Sequence, residues 1–229
     1  MPVSRKEGDD MVEFDGFGPE MIVEAYNPKT GMRGFTVIDN TSLGPAKGGI
    51  RMTPTVSIDE VARLARAMTW KCSLADLPFG GGKSGIVADP RTMSQKQKDE
   101  IIAAFAEAIK PICPSKYVAA PDINTAEHEM GIFAKANGSM KSTTGKPSSM
   151  GGIPHELGYT GFGVFHATKV ALDHLGKGMR STTFAVEGFG NVGMFAAKFL
   201  TEAGATLVAT SDSKGTIYNE KGINVNDLL

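Results

Sequence analysis

The chain has 229 residues, 24 Lys+Arg against 25 Asp+Glu, a formal net charge of -1 and a hydrophobic fraction of 41%. That length accommodates one large or two modest domains with a real core, and the balanced charge argues against bulk attraction to nucleic acid or an anionic membrane. Cys72 and Cys113 lack CxxC spacing and a partner histidine cluster, which argues against a disulfide framework or a metal site, and no apolar run reaches the ~20 residues of a membrane span.

The charged start, MPVSRKEGDD, has no apolar stretch of a secretory signal, so a reducing cytoplasmic setting is expected. Arg33 to Asp39 reads as a strand, and Gly49 to Met52 as a second one after the glycine break. Ser57-Ile-Asp-Glu60 has the form of a capping box, with Ser capping the helix start and Glu reaching back. The helix it opens runs to about Ala75, with Val61, Leu64, Ala65, Met68 and Cys72 as its apolar stripe. Ser94 to Gln97 is a second capping box, and its helix carries Ile101, Ile102, Phe105 and Ile109 before Pro111. Tyr117 to Ala120 reads as a strand and Thr125 to Ala136 as a helix.

Lys141 to Pro154 is rich in Ser, Thr, Gly and Pro and reads as a linker or long loop, so the domains are expected at 1–152 and 153–229. A helix is expected at about Gly161 to Leu175. Strand 183–187, helix 192–203 and strand 206–210 follow. Asn226 to Leu229 has the look of a first helical turn with Asn or Asp as its cap, and a domain is not expected to stop there. Alternating strands and helices separated by Gly and Pro indicate an α/β class.

Gly188-Phe189-Gly190-Asn191-Val192-Gly193 fits G-x-G-x-x-G between an apolar strand and an amphipathic helix. Glycines there permit a tight turn and let a pyrophosphate approach the helix N-terminus, where free N–H groups favour an anion. Asp212 ends the next strand about 20 residues on, where an acid meets the adenine ribose hydroxyls of a nicotinamide dinucleotide. Its carboxylate favours NAD over NADP by repelling a 2′-phosphate, while Ser213 and Lys214 offer partners to that phosphate.

Three lysines sit in surroundings unlike those of ordinary surface lysines. Lys47 lies in Gly44-Pro-Ala-Lys-Gly-Gly49, which reads as a tight turn. Lys71 lies one turn beyond Met68 along the stripe, and Lys83 ends Gly80-Gly-Gly-Lys83 before the apolar GIVA. An ammonium buried there needs an anionic partner; the alternative is a head that snorkels to water. A phosphate-binding P-loop is excluded at Lys83, because Leu77 stands where that pattern requires glycine.

The blocks GPAKGGIRM, MTWKCSLADLPFGGGKSG, APDINT, TGKPSSMGG and EGFGNVG, in this order, resemble those of the glutamate/leucine/phenylalanine/valine dehydrogenase family from about Gly34 onward. The resemblance implies an N-terminal α/β substrate-binding and oligomerisation domain followed by the beginning of a Rossmann dinucleotide-binding domain. It further implies oxidative deamination of L-glutamate to 2-oxoglutarate and ammonia with NAD or NADP. Lys83 resembles the catalytic lysine, for which a lowered pKa is expected among apolar neighbours and another cation. Asp122 resembles the aspartate that passes protons to and from the substrate nitrogen.

Lys71 resembles the lysine that binds the substrate α-carboxylate, with Met68 lining the same pocket or serving as core. Lys47 resembles the lysine that pairs with the side-chain carboxylate, which favours glutamate; branched-chain and aromatic enzymes carry an apolar residue there. Thr160 and Asn191 match positions near the nicotinamide. Glu156 stands where many members carry arginine. A hexamer, no metal and no nucleic-acid or membrane partner are implied. The missing remainder of the dinucleotide domain leads to an expectation of little activity from this chain alone. A leucine-type dehydrogenase, or an inactive assembly or regulatory subunit, is the alternative.

Overall fold

The computed structural model describes residues 12–153 and 157–229, and the chain divides into two compact units, residues 1–154 and 155–229. Glu156 lies outside the described residues. Among the described residues no helix is long and apolar enough to cross a membrane.

The first unit begins with a hairpin, β1 (Met21–Asn27) and β2 (Met32–Asn40), paired antiparallel. Its turn is set by Asn27, whose Oδ1 accepts from the N–H groups of Lys29 and Thr30, and by Gly31 at φ 69°. There follow β3 (Ala46–Thr53), α1 (Ile58–Leu74), β4 (Gly80–Val87), α2 (Gln95–Ala108), β5 (Tyr117–Pro121) and α3 (Glu127–Asn137). The sheet order is β1-β2-β4-β3-β5, with β3 parallel to both β4 and β5 and β4 antiparallel to β2.

Helices cover both faces, which is why the inner strands are buried almost continuously rather than alternately. On one face Ile38, Ile50, Met52 and Ile86 meet Ile102 and Phe105 of α2 and Met130 and Phe133 of α3. On the other, Phe35 and Val37 meet Val61 and Ala65 of α1. A polar clamp fixes α1 in place: Arg66 donates to Asp39 and Asp15, and Thr69 Oγ1 donates to Asp39. Asp39 itself is buried at the end of β2.

The structure corrects two expectations and meets others. Ser57 caps α1 by accepting from the Glu60 N–H, but the Glu60 carboxylate turns to Arg51 instead of closing the box; a guanidinium brings a full opposite charge to the carboxylate, whereas the N-cap N–H brings only a dipole. The second box, at Ser94 and Gln97, closes on both sides. The segment after α3 is not a free linker at its start, because Ala119 N donates to Ser142 O and Thr144 N to Ala119 O, binding it along β5. Cys72 and Cys113 are buried free thiols, and burial pushes Cys113 up to about 12.

The second unit contains α4 (Tyr159–His174), β6 (Thr183–Glu187), α5 (Asn191–Glu202), β7 (Thr206–Asp212) and β8 (Gly215–Tyr218). β6 and β7 are parallel, and β8 folds back antiparallel on β7. A small core of Ala197, Leu207 and Val225 lies under α5. The last residues form a single 3-10 turn, Val225–Asp227, capped by Asn224 rather than by Asn226 or Asp227.

Candidate active site

Lys47 is the first residue whose setting differs from its sequence reading. It lies within β3, not in a tight turn, paired in register with Gly81 of β4 and Val118 of β5. The glycines beside it serve strand packing: a Cβ on Gly48 would fall 1.6 Å from Gly82 O. Lys47 Nζ donates to Ala119 O at 2.8 Å, and among the described residues no carboxylate pairs with it. Burial, with repulsion from Lys83 and Lys146, lowers its pKa from 10.5 to about 7.

Lys47, Gly49 and Arg51 share one face of β3, and Lys83 lies opposite Val37 on the face covered by α1. To reach β5 from β4, Lys83 must pass over β3, a span of roughly 9–10 Å between strand axes. Gly49 clears the route, because a Cβ there would sit 3.3 Å from Lys83 Nζ and 2.7 Å from Asp122 Cβ. Lys83 Nζ accordingly donates to Asp122 Oδ1 at 2.8 Å, 39 residues away in sequence. Lys83 is 6% exposed. It is thus buried against a carboxylate, not only among apolar groups and a second cation as the sequence suggested.

Asp122 follows β5 in the turn Asp122 to Thr125, closed by Thr125 N donating to Asp122 O, with Asn124 at φ 62°. Asn124 tolerates that left-handed conformation and donates its Nδ2 to Met52 O. Asp122 lies outside α3, which excludes a role as an N-terminal helix acid. Burial acts to raise its pKa, but hydrogen bonds from Lys83 and Arg51 outweigh that and hold it below the usual carboxylate range.

Arg51, which the sequence analysis left without a role, donates Nε to Asp122 Oδ2 at 2.8 Å. Its position two residues beyond Gly49 in a strand was the available signal. Lys146 is a second residue passed over; it adds to the positive surroundings of Lys47 while its own Nζ donates to Thr143 O. Lys71, in the last turn of α1, is exposed, and Met68 is partly buried. The structure therefore brings Lys83 and Asp122 into contact and sets Lys47 on the same sheet face, while Lys71 presents its charge to solvent.

In the second unit, Gly188 takes φ 88° as the chain leaves β6, and Gly193 lies where a Cβ would fall 2.2 Å from Gly188 O. The N-terminus of α5 is thereby drawn against the strand, leaving its first N–H groups open. Val192 follows Asn191 in the first turn of α5, and Thr160 is exposed in the first turn of α4. Beside the glycine turn is a cleft of about 410 Å³ lined by Phe189, Thr210, Ser211, Asp212 and Lys214 among others. Two buried oxygens here, Asn191 Oδ1 and Thr210 Oγ1, have no hydrogen-bond partner among the described residues. Orphaned polar atoms and an open helix terminus suit a polar, phosphate-bearing cofactor. Asp212 Oδ1 is already used, accepting from Lys214 N and Gly215 N in the β7–β8 turn, and among the described residues no donor engages Oδ2.

Family models match most of the sequence: a Glu/Leu/Phe/Val dehydrogenase dimerisation domain at residues 19–138, and Glutamate/Leucine/Phenylalanine/Valine dehydrogenase at 151–229. The chain is 41% identical to the glutamate dehydrogenase of Aeropyrum pernix over 83% of its own length and 47% of that relative's. It is also 41% identical to the NADP-specific glutamate dehydrogenase of Saccharolobus shibatae, again over 83% of this chain and 47% of the relative. Among solved structures, the hetero-hexameric glutamate dehydrogenase of Thermus thermophilus in its Leu-bound form superposes with a TM-score of 0.83 at 28% identity, covering 91% of this chain and 54% of that one. The chain spans about half the length of the curated relatives it matches.

Proposed function

Since the chain belongs to the Glu/Leu/Phe/Val dehydrogenase family, we propose that it serves the reversible oxidative deamination of L-glutamate to 2-oxoglutarate and ammonia with NAD or NADP. The observation that carries the choice of glutamate is Lys47. It is a partly buried ammonium on the same sheet face as the Lys83–Asp122 pair, without a carboxylate partner among the described residues. An incoming side-chain carboxylate supplies that partner, whereas an apolar side chain leaves the charge uncompensated.

In this reading Asp122 takes a proton from the substrate nitrogen, and Lys83 holds and activates the water that hydrolyses the imine. Lys71 binds the α-carboxylate, and Met68 lines the pocket. Thr160, Asn191, Val192 and the glycines 188, 190 and 193 hold the dinucleotide, with Asp212 on its ribose. The bound nicotinamide supplies the hydride acceptor. Assembly as a hexamer in the cytoplasm belongs to the same proposal; dimerisation is the role in the matching family description. Native mass spectrometry on the full-length protein separates a homo-hexamer from a mixed assembly like that of the Thermus relative.

The test is glutamate-dependent reduction of NAD and NADP by the full-length protein and its Lys47→Leu variant. We expect kcat/KM for glutamate to fall by roughly 100-fold or more in the variant, with apolar amino acids gaining ground. An unchanged preference removes the reason for choosing glutamate. Turnover of leucine but not glutamate by the unaltered protein favours the leucine-type alternative.

A further inference from the structure

Asp122 has both carboxylate oxygens occupied. Lys83 donates to Oδ1 at 2.8 Å from β4, and Arg51 donates to Oδ2 at 2.8 Å from β3. Arg51 reaches in the opposite direction as well, to Glu60 Oε1 in the first turn of α1. Glu60 is itself fixed there, since its N–H is capped by Ser57 Oγ. The main chain at Asp122 is held separately: Asp122 N donates to the Thr125 hydroxyl, which donates to Ile50 O. Arg51 and Asp122 are each 18% exposed at the side chain, so water competes weakly for their bond.

The chemistry of the two cations differs. A proton shared between a lysine and a carboxylate can reside on either partner, since moving it leaves two neutral groups. A guanidinium keeps its charge throughout the accessible pH range and fixes direction through its planar fork. On the second oxygen of Asp122 it keeps the shared proton on Lys83 and the carboxylate in one rotamer. The charged groups on the carboxylate are Lys83 from β4 and Arg51 from β3, with Glu60 of α1 on the far side of the Arg51 contact, Lys47 of β3 acting on Lys83, and the buried Tyr117 on β5.

We propose that Arg51, anchored by Glu60, is a positioning residue for Asp122: it holds the carboxylate ionised and oriented as a proton acceptor, and ties it to the helix that carries Met68 and Lys71. This rests on the assignment of proton transfer to Asp122 made above. Arg51 touches neither reacting atoms nor cofactor in this scheme and acts only through Asp122.

The experiment is a carbon-13 NMR titration of the side-chain carboxyls in the 229-residue chain, with the Asp122 signal assigned through Asp122→Asn. In Arg51→Gln the Asp122 midpoint is expected to rise by about one pH unit or more, and Arg51→Lys is expected to lie between that and the unaltered chain. A midpoint within about 0.3 units of the original in a folded Arg51→Gln overturns the proposal. If circular dichroism shows that variant to be unfolded, Arg51→Lys decides: a raised midpoint supports the proposal and an unmoved one overturns it. Turnover tests the underlying assignment separately. Full activity in full-length Asp122→Asn sinks proton transfer at Asp122, whatever the titration shows. With that assignment intact, the acid limb of kcat/KM should move to higher pH in full-length Arg51→Gln, which a merely structural arginine would not cause.

Discussion

The route from Lys83 to Asp122 depends on the missing side chain of Gly49, and Gly49→Ala tests that dependence. An added Cβ would lie 2.7 Å from both Asp122 Cβ and Pro121 O, and 3.3 Å from Lys83 Nζ. Carbon–carbon contacts are comfortable near 3.5–4.0 Å, so the neighbours must give way by roughly 1 Å. Pro121 O is main chain of β5, so β5 itself has to shift, and overpacking of this kind costs about 1–3 kcal/mol. For a protein of this size that lowers the melting temperature of the first unit by roughly 2–12 °C. A displacement near 1 Å at reacting groups costs about 100-fold in turnover. Thermal unfolding followed by circular dichroism reads the first effect, and glutamate-dependent cofactor reduction by the full-length protein reads the second. Gly163→Ala is the control, since nothing lies within 4 Å of a Cβ there and the site is inside α4; alanine should be neutral or gain up to about 1 kcal/mol. A Gly49→Ala protein that melts and turns over like the original would refute the argument that the glycine keeps this path open.

Two further outcomes follow from individual side chains. Lys47 titrates near 7 in the folded chain against 10.5 when unfolded, chiefly because of burial. Between those values the unfolded chain retains a proton that the native state has released, so stability rises with pH across that window, and the penalty is present in full below about 7. Urea midpoints of the original chain, taken relative to Lys47→Met, should therefore increase between about pH 6.5 and pH 9.5; a constant difference contradicts the burial argument. At Asp212, Asn preserves an oxygen that can accept from Lys214 and Gly215, whereas Ala does not. Asp212→Ala should lose about 1 kcal/mol of stability and Asp212→Asn much less, while both raise the NADP-to-NAD preference of the full-length protein. Equal stability losses would show that the turn bonds contribute nothing, and unchanged cofactor preference would separate Asp212 from the ribose.

Much of the local architecture was legible in the residues. The Ser94 box, the 183–187 strand, the glycine turn and the helix after it all carry short-range signals, and the structure has an element at each place. The first strand of the hairpin was passed over although an Asn-Pro-Lys-Thr-Gly turn lies between two apolar runs. The short β8 was missed because all its residues are exposed, so burial left no pattern to read. Lys47 was misread as a turn residue because glycines that admit a neighbouring strand have the same spelling as glycines that bend a chain. Glu60 was read as half of a cap because its competitor, Arg51, becomes a neighbour only after β3 and α1 are placed.

The sequence by itself determined the alternation of strands and helices, the dinucleotide turn and the ordered blocks that mark the family, since these depend on residues close together along the chain. Tertiary structure alone decided which charges meet. Lys83 and Asp122 are 39 residues apart, and Arg51 and Asp122 are 71 apart. They converge because the sheet places β3 between β4 and β5 with a glycine at the crossing. Strand order is set by how all the apolar faces bury together, and the partner each buried charge finds is a consequence of that packing rather than of spacing along the chain.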